Sequence, residues 1–383
     1  MAGTSLIEID RTALIHNLNF LQYFFGDEVK ISSVVKSNAY GHGIEQIVPV
    51  AETAGIRHFS VFSAEEAEVV CNIKKPETDV MIMGWMSDEE IEWAIDNNLE
   101  FFVFEVMKLE KVAEKAKKLN KVAKIHIEVE TGLNRTGFTQ KQLVKVMQFI
   151  KENKDLFYIK GLCTHYAGAE SIANHVRIQK QIRKYNQLYK WLYNRDIIPE
   201  IRHTACSAAA ITYPRTRMDM VRIGILQYGF WPTRETFIQF INKRMDKTDP
   251  LMRVLSWKSQ IMSIKKVKTG EFVSYGTAYL AQEEKVIAIV PVGYSHGYSR
   301  SLSNQGRVII DGQRAPVIGV VNMNMLIADV THIPEVKRGD EVILIGEDNG
   351  IEITLASFAD FNNQLNYELL ARLPMNIPRE VIN

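Results

Sequence analysis

Between residue 31 and about residue 229, short apolar runs rich in β-branched residues alternate with amphipathic stretches of helical period. Such alternation predicts repeated βα units whose helices cover a parallel sheet. The apolar runs are ISSVVK (31–36), HFSVFS (58–63), DVMIMG (79–84), LEFFVF (99–104), KIHIEV (124–129), YIKGLCTHY (158–166), IRHTACS (201–207) and MVRIGILQYG (220–229). Eight parallel strands with their helices predict a TIM (β/α)8 barrel.

A doubly wound parallel sheet is the competing fold, because it requires no fixed number of strands. Its dinucleotide-binding fingerprint, GxGxxG, would follow the first strand. In this chain the first strand is followed by KSNAYGHG (36–43). The sequence therefore favours the barrel.

The pattern changes after residue 230. The polar stretch WPTRETFIQFINKRMDKTDP (231–250) fits no βα unit and predicts a linker with a short helix. Beyond it, short β-rich runs are separated by turn signals such as KTGE (268–271), and a helical pattern returns only at ASFADFNNQL (356–365). We predict a barrel domain over residues 1–240 and a mostly antiparallel β domain over residues 241–383.

Composition narrows the class of protein. The chain is 46% hydrophobic and 24% charged with a net charge of +1, which is typical of globular proteins and argues against a nucleic-acid partner. No apolar run approaches the length of a membrane span, and the opening MAGTSLIEIDRTAL lacks the order of a signal peptide. Three cysteines without a CxxC pair argue against disulfides and zinc. We expect a cytoplasmic protein with no bound metal.

The active sites of TIM barrels lie at the carboxyl ends of the strands, and polar side chains fall there in this sequence. They are Lys36 after the first strand, Arg135 in TGLNRTG after the fifth, His165 at the end of the sixth, Cys206 and Ser207 at the end of the seventh, and Arg222 in the eighth. Lys36 follows a buried strand, and burial lowers the pKa of an amine. A neutral lysine is the nucleophile that forms a Schiff base with an aldehyde.

The segment around Lys36 resembles a motif of a known family. VVKSNAYGHG closely matches the cofactor-lysine motif of alanine racemases, and further family markers follow in order along nearly the whole chain. These markers are ETGLNRTGF (130–138), THYAGAE (164–170), HTACSAA (203–209), VRIGILQYG (221–229), VSYGTAY (273–279), VGYSHGYSR (292–300), VVNMNMLIADVT (320–331) and LNYELLARLPMNIPR (365–379).

The resemblance implies that Lys36 holds pyridoxal 5'-phosphate and acts as one of two catalytic acid/bases. The other is Tyr275, which in this family reaches the active site from the partner subunit of a homodimer. Racemisation removes a proton from one face of Cα and delivers one to the other, so a flanking pair of groups is chemically required.

The resemblance also assigns the binding positions. Arg222 would face the pyridine nitrogen of the cofactor, with His203 holding it by a hydrogen bond, and His165 would act beside Tyr275. The phosphate would be bound by Tyr40, Ser207, Gly224, Ile225 and Tyr367, with Ser207 at a helix N-terminus. The substrate carboxylate would be bound by Arg135, Met323 and Asn324, with Glu128, His165 and Tyr294 in support.

The chain departs from the commonest family motif at several positions. Glu128 stands where many members have a carbamylated lysine, and its carboxylate offers Arg135 the same negative oxygens, so we predict no carbamyl-lysine. Glu130 replaces an aspartate. Cys206 replaces an asparagine, and His296 and Asn324 each replace an aspartate. The last two remove negative charge near the substrate.

The resemblance therefore implies an amino acid racemase, an isomerase that interconverts L- and D-alanine and so supplies D-alanine. Racemases of serine or of a basic amino acid are alternatives within the class. A fold-related decarboxylase is a further alternative, but the chain has no cysteine after Cys206 to supply the motif that such enzymes carry in the β domain. A single-barrel, non-catalytic pyridoxal-phosphate-binding protein would lack the β domain altogether.

Overall fold

The computed structural model describes residues 3–242, 244–355, 358 and 366–383. The chain divides into two compact units. The barrel unit consists of Ala13–Ala39 and Ile47–Met252. The β unit consists of the residues up to Thr12, Tyr40–Gln46 and the chain from Arg253 onward.

The strands of the described residues are, in chain order, β1 (Ser5–Asp10), β2 (Lys30–Val34), β3 (His58–Val61), β4 (Asp79–Ile82), β5 (Glu100–Val103), β6 (Ala123–Glu128), β7 (Phe157–Cys163), β8 (Ile201–His203), β9 (Met220–Ile223), β10 (Leu255–Gln260), β11 (Ser263–Val267), β12 (Lys285–Val290), β13 (Arg307–Ile310), β14 (Gln313–Pro316), β15 (Leu326–Asp329), β16 (Glu341–Asp348), β17 (Ile351–Ile353) and β18 (Arg379–Ile382). The helices are α1 (Arg11–Phe25), α2 (Ile44–Thr53), α3 (Ala64–Ile73), α4 (Asp88–Asp96), α5 (Val106–Leu119), α6 (Gln140–Glu152), α7 (His175–Tyr193), α8 (Ser207–Thr212), α9 (Arg234–Ile241) and α10 (Asn366–Ala371).

Strands β2 to β9 form one parallel sheet in the order β8-β7-β6-β5-β4-β3-β2-β9. Its two edge strands meet where the Arg222 N–H donates to the Ala205 carbonyl at 2.9 Å, which nearly closes the sheet into a barrel. The eight strands are those predicted from the apolar runs, so the TIM-barrel prediction is confirmed. Strands β3, β5 and β9 are buried at every position, as expected where helices cover the outside and side chains fill the interior.

The helices of the barrel unit follow from local sequence. Helix α4 begins at a capping box in which Ser87 and Glu90 exchange hydrogen bonds, and α6 begins at a second one between Thr139 and Gln142. Each box satisfies backbone N–H groups that a helix start leaves without partners. Helix α9, capped by Thr233, lies in the stretch predicted as a linker with a short helix.

The β unit is rich in antiparallel pairs. Its larger sheet has the order β14-β13-β16-β10-β1-β18 with β17 on β16, and a three-stranded sheet has the order β11-β12-β15. Only β1 and β18 pair in parallel among the described strands of this unit. The predicted antiparallel β domain is confirmed. The helical pattern predicted at 356–365 falls almost wholly outside the described residues.

The predicted domain boundary differs from the observed division at the start of the chain. Residues 1–240 were assigned to the barrel, but β1 pairs antiparallel with β10, with Ile7 opposite Trp257, and parallel with β18. The first strand therefore belongs to the β unit. A strand needs backbone partners on its edges, and short sequence patterns do not reveal a partner about 250 positions away.

None of the described helices is both long enough and apolar enough to cross a lipid bilayer.

Gly161 permits close packing of β7 against His126 inside the barrel. A Cβ at this position would lie 2.1 Å from His126 Nδ1. We expect Gly161→Ala to lower the free energy of unfolding by roughly 2 kcal/mol or more, because an overpacked core forces its neighbours apart. Thermal unfolding of the purified variant checks this.

The matched control for that substitution is the double variant Gly161→Ala/His126→Ala. Without the imidazole ring the added methyl group has space, so it should cost little in the His126→Ala background. Additive losses of stability from the two substitutions would contradict the steric explanation.

Candidate active site

Lys36 lies just beyond the carboxyl end of β2, at the rim where the predicted site residues of the barrel unit come together. Strand β2 ends at Val34, and the chain then makes a left-handed turn in which Ser37, Asn38, Ala39 and Tyr40 all have φ between 51° and 53°. A left-handed conformation costs a residue other than glycine roughly 1–2 kcal/mol. Consecutive strained residues beside a candidate nucleophile are typical of functional sites.

The environment of Lys36 favours its neutral form. Burial is the main cause that lowers the pKa of this amine, and the positive charges of Arg135 and Arg222 lower it further. Glu66 opposes the shift. The carboxylate of Glu66 also accepts the Ser37 N–H, which ties the left-handed turn to α3. A buried amine with a lowered pKa can act as a nucleophile or as a base.

Arg222 points from β9 into the barrel and is 5% exposed. Its Nη1 donates to the Nδ1 and to the carbonyl of His203, and its Nη2 donates to the carbonyls of Thr164 (2.9 Å) and Thr204 (3.4 Å). The predicted hydrogen bond between His203 and Arg222 is therefore present. Within the described part of the chain, the Nε–H of Arg222 makes no hydrogen bond, which leaves a donor for a ligand acceptor.

Three buried residues that the sequence analysis missed extend the polar cluster behind Arg222. His126 and His58 both donate to Glu100 Oε2, at 2.9 and 3.1 Å, and His126 also hydrogen-bonds His203 at 2.8 Å. The signal was present in the sequence, because HFSV, EFFV and KIHIE each carry a charged or titratable residue within a strand predicted to be buried. The predicted site residues were confined to the carboxyl ends of the strands, and these three residues lie elsewhere in their strands.

The loop after β6 carries Arg135, whose side chain is exposed. Glu128, at the end of the same strand, is buried, and burial raises the pKa of its carboxyl group despite a hydrogen bond from Thr136 and the nearby charges of Arg222 and Arg135. A hydrogen bond between Glu128 and Arg135 stays a prediction. His165 is partly buried, and burial together with the charges of Arg222, Arg135 and Lys36 lowers its pKa to about 3. Its ring is therefore neutral at physiological pH.

Ser207 and Gly224 lie against each other where β8 and β9 end. The Gly224 N–H donates to Ser207 Oγ at 3.1 Å, which leaves the hydroxyl proton of Ser207 for an acceptor. Ile225 follows in a buried 3-10 turn, Ile225–Tyr228. Helix α8 begins at Ser207 as predicted, but it has only six residues, and Cys206 makes no side-chain capping bond. The hydroxyl and backbone N–H groups are therefore stronger candidates for holding an anion than the dipole of this short helix.

Tyr40 and Tyr367 come together in the β unit. Their ring centroids are 6.0 Å apart, and the rings are inclined at 51°. The segment that begins at Tyr40 is held by Arg379, whose Nε donates to the Gly41 carbonyl at 2.9 Å. These two predicted phosphate-binding tyrosines therefore share one location, 327 positions apart in the sequence.

Tyr275 lies in a β-unit loop with 73% of its surface exposed. The backbone around it is fixed, because Ser274 Oγ donates to the Val320 carbonyl at 2.8 Å and to Asn322 Oδ1 at 3.2 Å. Ser274 and Gly276 both have φ of 68°. The hydrogen bonds join the Tyr275 loop to the loop that carries Met323 and Asn324.

The second β-unit loop is joined to the turn Tyr294–His296. Ser295 Oγ donates to the Met323 carbonyl at 2.7 Å and accepts from Asn324 Nδ2 at 3.0 Å, and the Tyr294 N–H donates to the Asn322 carbonyl at 3.0 Å. His296 Nδ1 accepts the Gly293 N–H at 3.2 Å, so this departure from the family motif stabilises its own turn. Tyr294, Met323 and Asn324 are all exposed.

Each unit thus gathers its own set of predicted residues. In the barrel unit these are Lys36, Glu128, Arg135, His165, His203, Ser207, Arg222, Gly224 and Ile225. In the β unit they are Tyr275, Tyr294, Met323 and Asn324, together with the pair Tyr40 and Tyr367.

Comparisons with known proteins match both parts of the chain. Residues 9–232 match the family model described as alanine racemase, N-terminal domain, and residues 254–381 match the model described as alanine racemase, C-terminal domain. The alanine racemase of Halothermothrix orenii is 36% identical over 381 residues, covering 98% of this chain and 96% of that protein. The alanine racemase of Leptospira interrogans is 32% identical over 380 residues, covering 99% of this chain and 96% of that protein.

Solved structures show the same similarity. The alanine racemase from Streptomyces lavendulae has a TM-score of 0.90 at 26% identity, with 99% of this chain and 97% of that chain covered. The alanine racemase from Bacillus anthracis with bound L-Ala-P has a TM-score of 0.89 at 28% identity, with 100% and 96% covered. On the two family matches and these full-length similarities, the chain belongs to the alanine racemase family, whose members are isomerases.

Proposed function

We propose that this chain racemises free alanine with pyridoxal 5'-phosphate, using Lys36 and Tyr275 as the two acid/bases. The observation that carries the proposal is Lys36 itself, a partly buried amine of lowered pKa at the rim of a barrel that matches the alanine racemase family. The relatives found by sequence and the solved structures are both named as alanine racemases.

The residues of the barrel unit fit this cofactor. Lys36 supplies the amine that would hold its aldehyde carbon, and the Ser207 hydroxyl with nearby backbone N–H groups would hold its phosphate. The Nε–H of Arg222 would be the donor to the ring nitrogen. When bound, pyridoxal phosphate supplies an electron sink for the electron pair left at Cα of the amino acid.

Arg222 determines how strong that sink is. An arginine side chain has only donors and stays protonated, so it gives no proton to a ring nitrogen that it contacts. The four hydrogen bonds from its terminal nitrogens hold the guanidinium in one orientation. A weaker sink disfavours side reactions such as transamination, because less negative charge is delocalised into the ring.

The two bases act from opposite faces of the substrate. Lys36 takes or returns the proton on one face, and Tyr275 of the partner subunit does so on the other. The exposed ring of Tyr275 on a fixed backbone is consistent with a residue that completes the site of a second copy. His165, neutral at physiological pH, would hydrogen-bond the phenol and favour its proton transfer.

Arg135, Met323 and Asn324 would bind the carboxylate of the substrate. Glu128 would orient Arg135 in place of a carbamylated lysine. Asn324 and His296 reduce the negative charge of the β unit's site loops, so serine and basic amino acids are the substrates to compare with alanine. We place the enzyme in the cytoplasm, where its three free cysteines remain reduced, as a homodimer with shared active sites.

The first test substitutes the two bases. We expect Lys36→Ala to lower kcat/KM for L-to-D alanine conversion by roughly 10³-fold or more, and Tyr275→Phe to lower it by about 10²- to 10⁴-fold, because each removes a proton carrier. Conversion of alanine, serine, lysine and arginine is measured in both directions by chiral chromatography.

Tyr279→Phe is the matched control, since this tyrosine lies in the same loop but packs against the apolar cluster that contains Val273 and Ile287. It should keep near-normal activity. Full activity in Lys36→Ala, or equal losses in the two tyrosine variants, would overturn the assignment.

The second test asks whether the active site is shared. Lys36→Ala and Tyr275→Phe protomers are each inactive, but a mixed dimer has one site that contains both native residues. After co-refolding in equal amounts we expect about a quarter of wild-type activity, since half of the randomly assembled dimers are mixed. A mixture as inactive as its components would mean that each subunit carries its own complete site.

The third test follows the pKa of Lys36 through the rate at which apoenzyme incorporates pyridoxal phosphate. Only the neutral amine reacts, so the rate should rise with pH through a midpoint below 10.5. Arg135→Gln removes a charge that lowers the lysine pKa and should move the midpoint to higher pH. Glu66→Gln removes a charge that raises it and should move the midpoint to lower pH. Shifts of the same sign in both variants would contradict this electrostatic account.

A further inference from the structure

A continuous line of hydrogen-bonded side chains runs through the barrel interior and ends at Arg222. Arg222 Nη1 contacts His203 Nδ1, His203 Nε2 lies 2.8 Å from His126 Nδ1, and His126 Nε2 lies 2.9 Å from Glu100 Oε2. All four side chains are buried, and Glu100 is only 1% exposed. The far end of the line is thus a buried carboxylate.

The protons of this line follow from the chemistry of its ends. Arginine has no acceptor, so Nη1 must donate to His203 Nδ1. Burial lowers the pKa of both His203 and His126, so each ring carries one proton. His203 then has its proton on Nε2 and donates to His126 Nδ1. His126 in turn has its proton on Nε2 and donates to Glu100.

Other contacts keep Glu100 an acceptor. The same Oε2 accepts from His58 Nε2 at 3.1 Å, and His58 Nδ1 is hydrogen-bonded by Ser32 Oγ at 2.8 Å. Lys160 Nζ lies 3.7 Å from Oε1. Although burial alone would raise the pKa of Glu100, the hydrogen bonds from His126 and His58 hold it well below its usual range. The carboxylate therefore stays ionised.

We propose that Glu100 is a positioning residue for Arg222: by accepting from His126 it selects the tautomers in which His203 presents a bare Nδ1 to the guanidinium. The inference rests on the proposed function, in which Arg222 contacts the cofactor ring. A proton relay does not explain the line, because a relay requires every member to accept a proton and Arg222 accepts none.

The Glu100 carboxylate prevents the two histidines from changing to the opposite tautomers. Without an acceptor at position 100, the buried Nε2–H of His126 has no partner, and an unsatisfied buried donor costs about 1–3 kcal/mol. Moving its proton to Nδ1 forces the proton of His203 onto its own Nδ1. That N–H then opposes the Nη1–H of Arg222, and the guanidinium must shift.

The test compares Glu100→Leu, which removes the acceptor, with Glu100→Gln, whose amide oxygen can still accept from both histidines. Glu52→Leu is the control, because Glu52 is a buried glutamate whose carboxylate accepts from the Lys75 N–H and Thr78 Oγ1 and not from a member of the line. The first readout is ¹⁵N NMR of histidine-labelled holoenzyme, in which protonated and bare ring nitrogens have distinct shifts.

We expect the wild-type and Glu100→Gln spectra to show His203 and His126 with the proton on Nε2. In Glu100→Leu these signals should move or become mixed, while Glu52→Leu leaves them in place even if it lowers stability. Wild-type rings protonated on Nδ1, or a Glu100→Leu spectrum equal to that of wild type, would overturn the proposal.

The second readout is racemisation of alanine. Displacement of Arg222 should lower kcat of Glu100→Leu on the order of 10- to 100-fold, with KM within about threefold of wild type. Glu100→Gln should restore most of kcat, and Glu52→Leu should leave it unchanged. If Glu100→Gln loses as much kcat as Glu100→Leu, the acceptor is not what matters and the proposal fails. If Glu100→Leu does not fold, Glu100→Asp, which withdraws the carboxylate by one methylene, should give intermediate changes in both readouts.

The two readouts separate this inference from the proposed function. The ¹⁵N spectra decide the tautomers without any turnover. A wild-type enzyme that racemises none of the four amino acids would refute the proposed function while the spectra still decided the line of tautomers.

Discussion

A guanidinium enclosed in the barrel is the constraint on which the site depends. The terminal nitrogens of Arg222 donate to an imidazole and to backbone carbonyls, so these dipoles stabilise its positive charge, which stays effective at short range. That charge contributes to lowering the pKa of Lys36, His165 and His203. One buried cation thus shifts a lysine and two histidines in the same direction, toward their neutral forms.

A cation held in a barrel wall requires acceptors at fixed positions around it. The carbonyls of Thr164 and Thr204 point inward because their strands end there, and β9 holds Arg222 opposite them through its backbone bond to Ala205. On the other side of β9, β2 continues directly into a left-handed turn of residues that are not glycine. The Glu66 carboxylate that supports this turn also moderates the pKa of Lys36, so local geometry and charge are set together.

The sequence predicted the barrel well and its interior poorly. Apolar runs with β-branched residues identified the eight strands, because a buried parallel strand requires a continuous apolar run in the local sequence. Lys36 and Arg222 were found because they stand out against apolar neighbours at strand ends. Glu100 and His126 were missed although they also interrupt apolar strands. Their hydrogen bonds are made to residues of other strands, which the local sequence does not reveal. The pairing of β1 with β10 was not predicted for the same reason, because a contact between residues 250 positions apart leaves no local pattern.

In the β unit, the proposed second base, Tyr275, is an exposed tyrosine that would have to be positioned for catalysis. An exposed side chain on a mobile loop would have to lose backbone and rotamer freedom at each turnover. Tyr275 avoids the backbone part of that cost, since the flanking residues Ser274 and Gly276 hold unusual positive φ angles and Ser274 is hydrogen-bonded to the neighbouring loop. The hydrogen bonds of Ser274 therefore constrain the backbone next to Tyr275 within the β unit. A tyrosine fixed in this way but left exposed has the properties required of a base that another subunit's site would use without reorganisation.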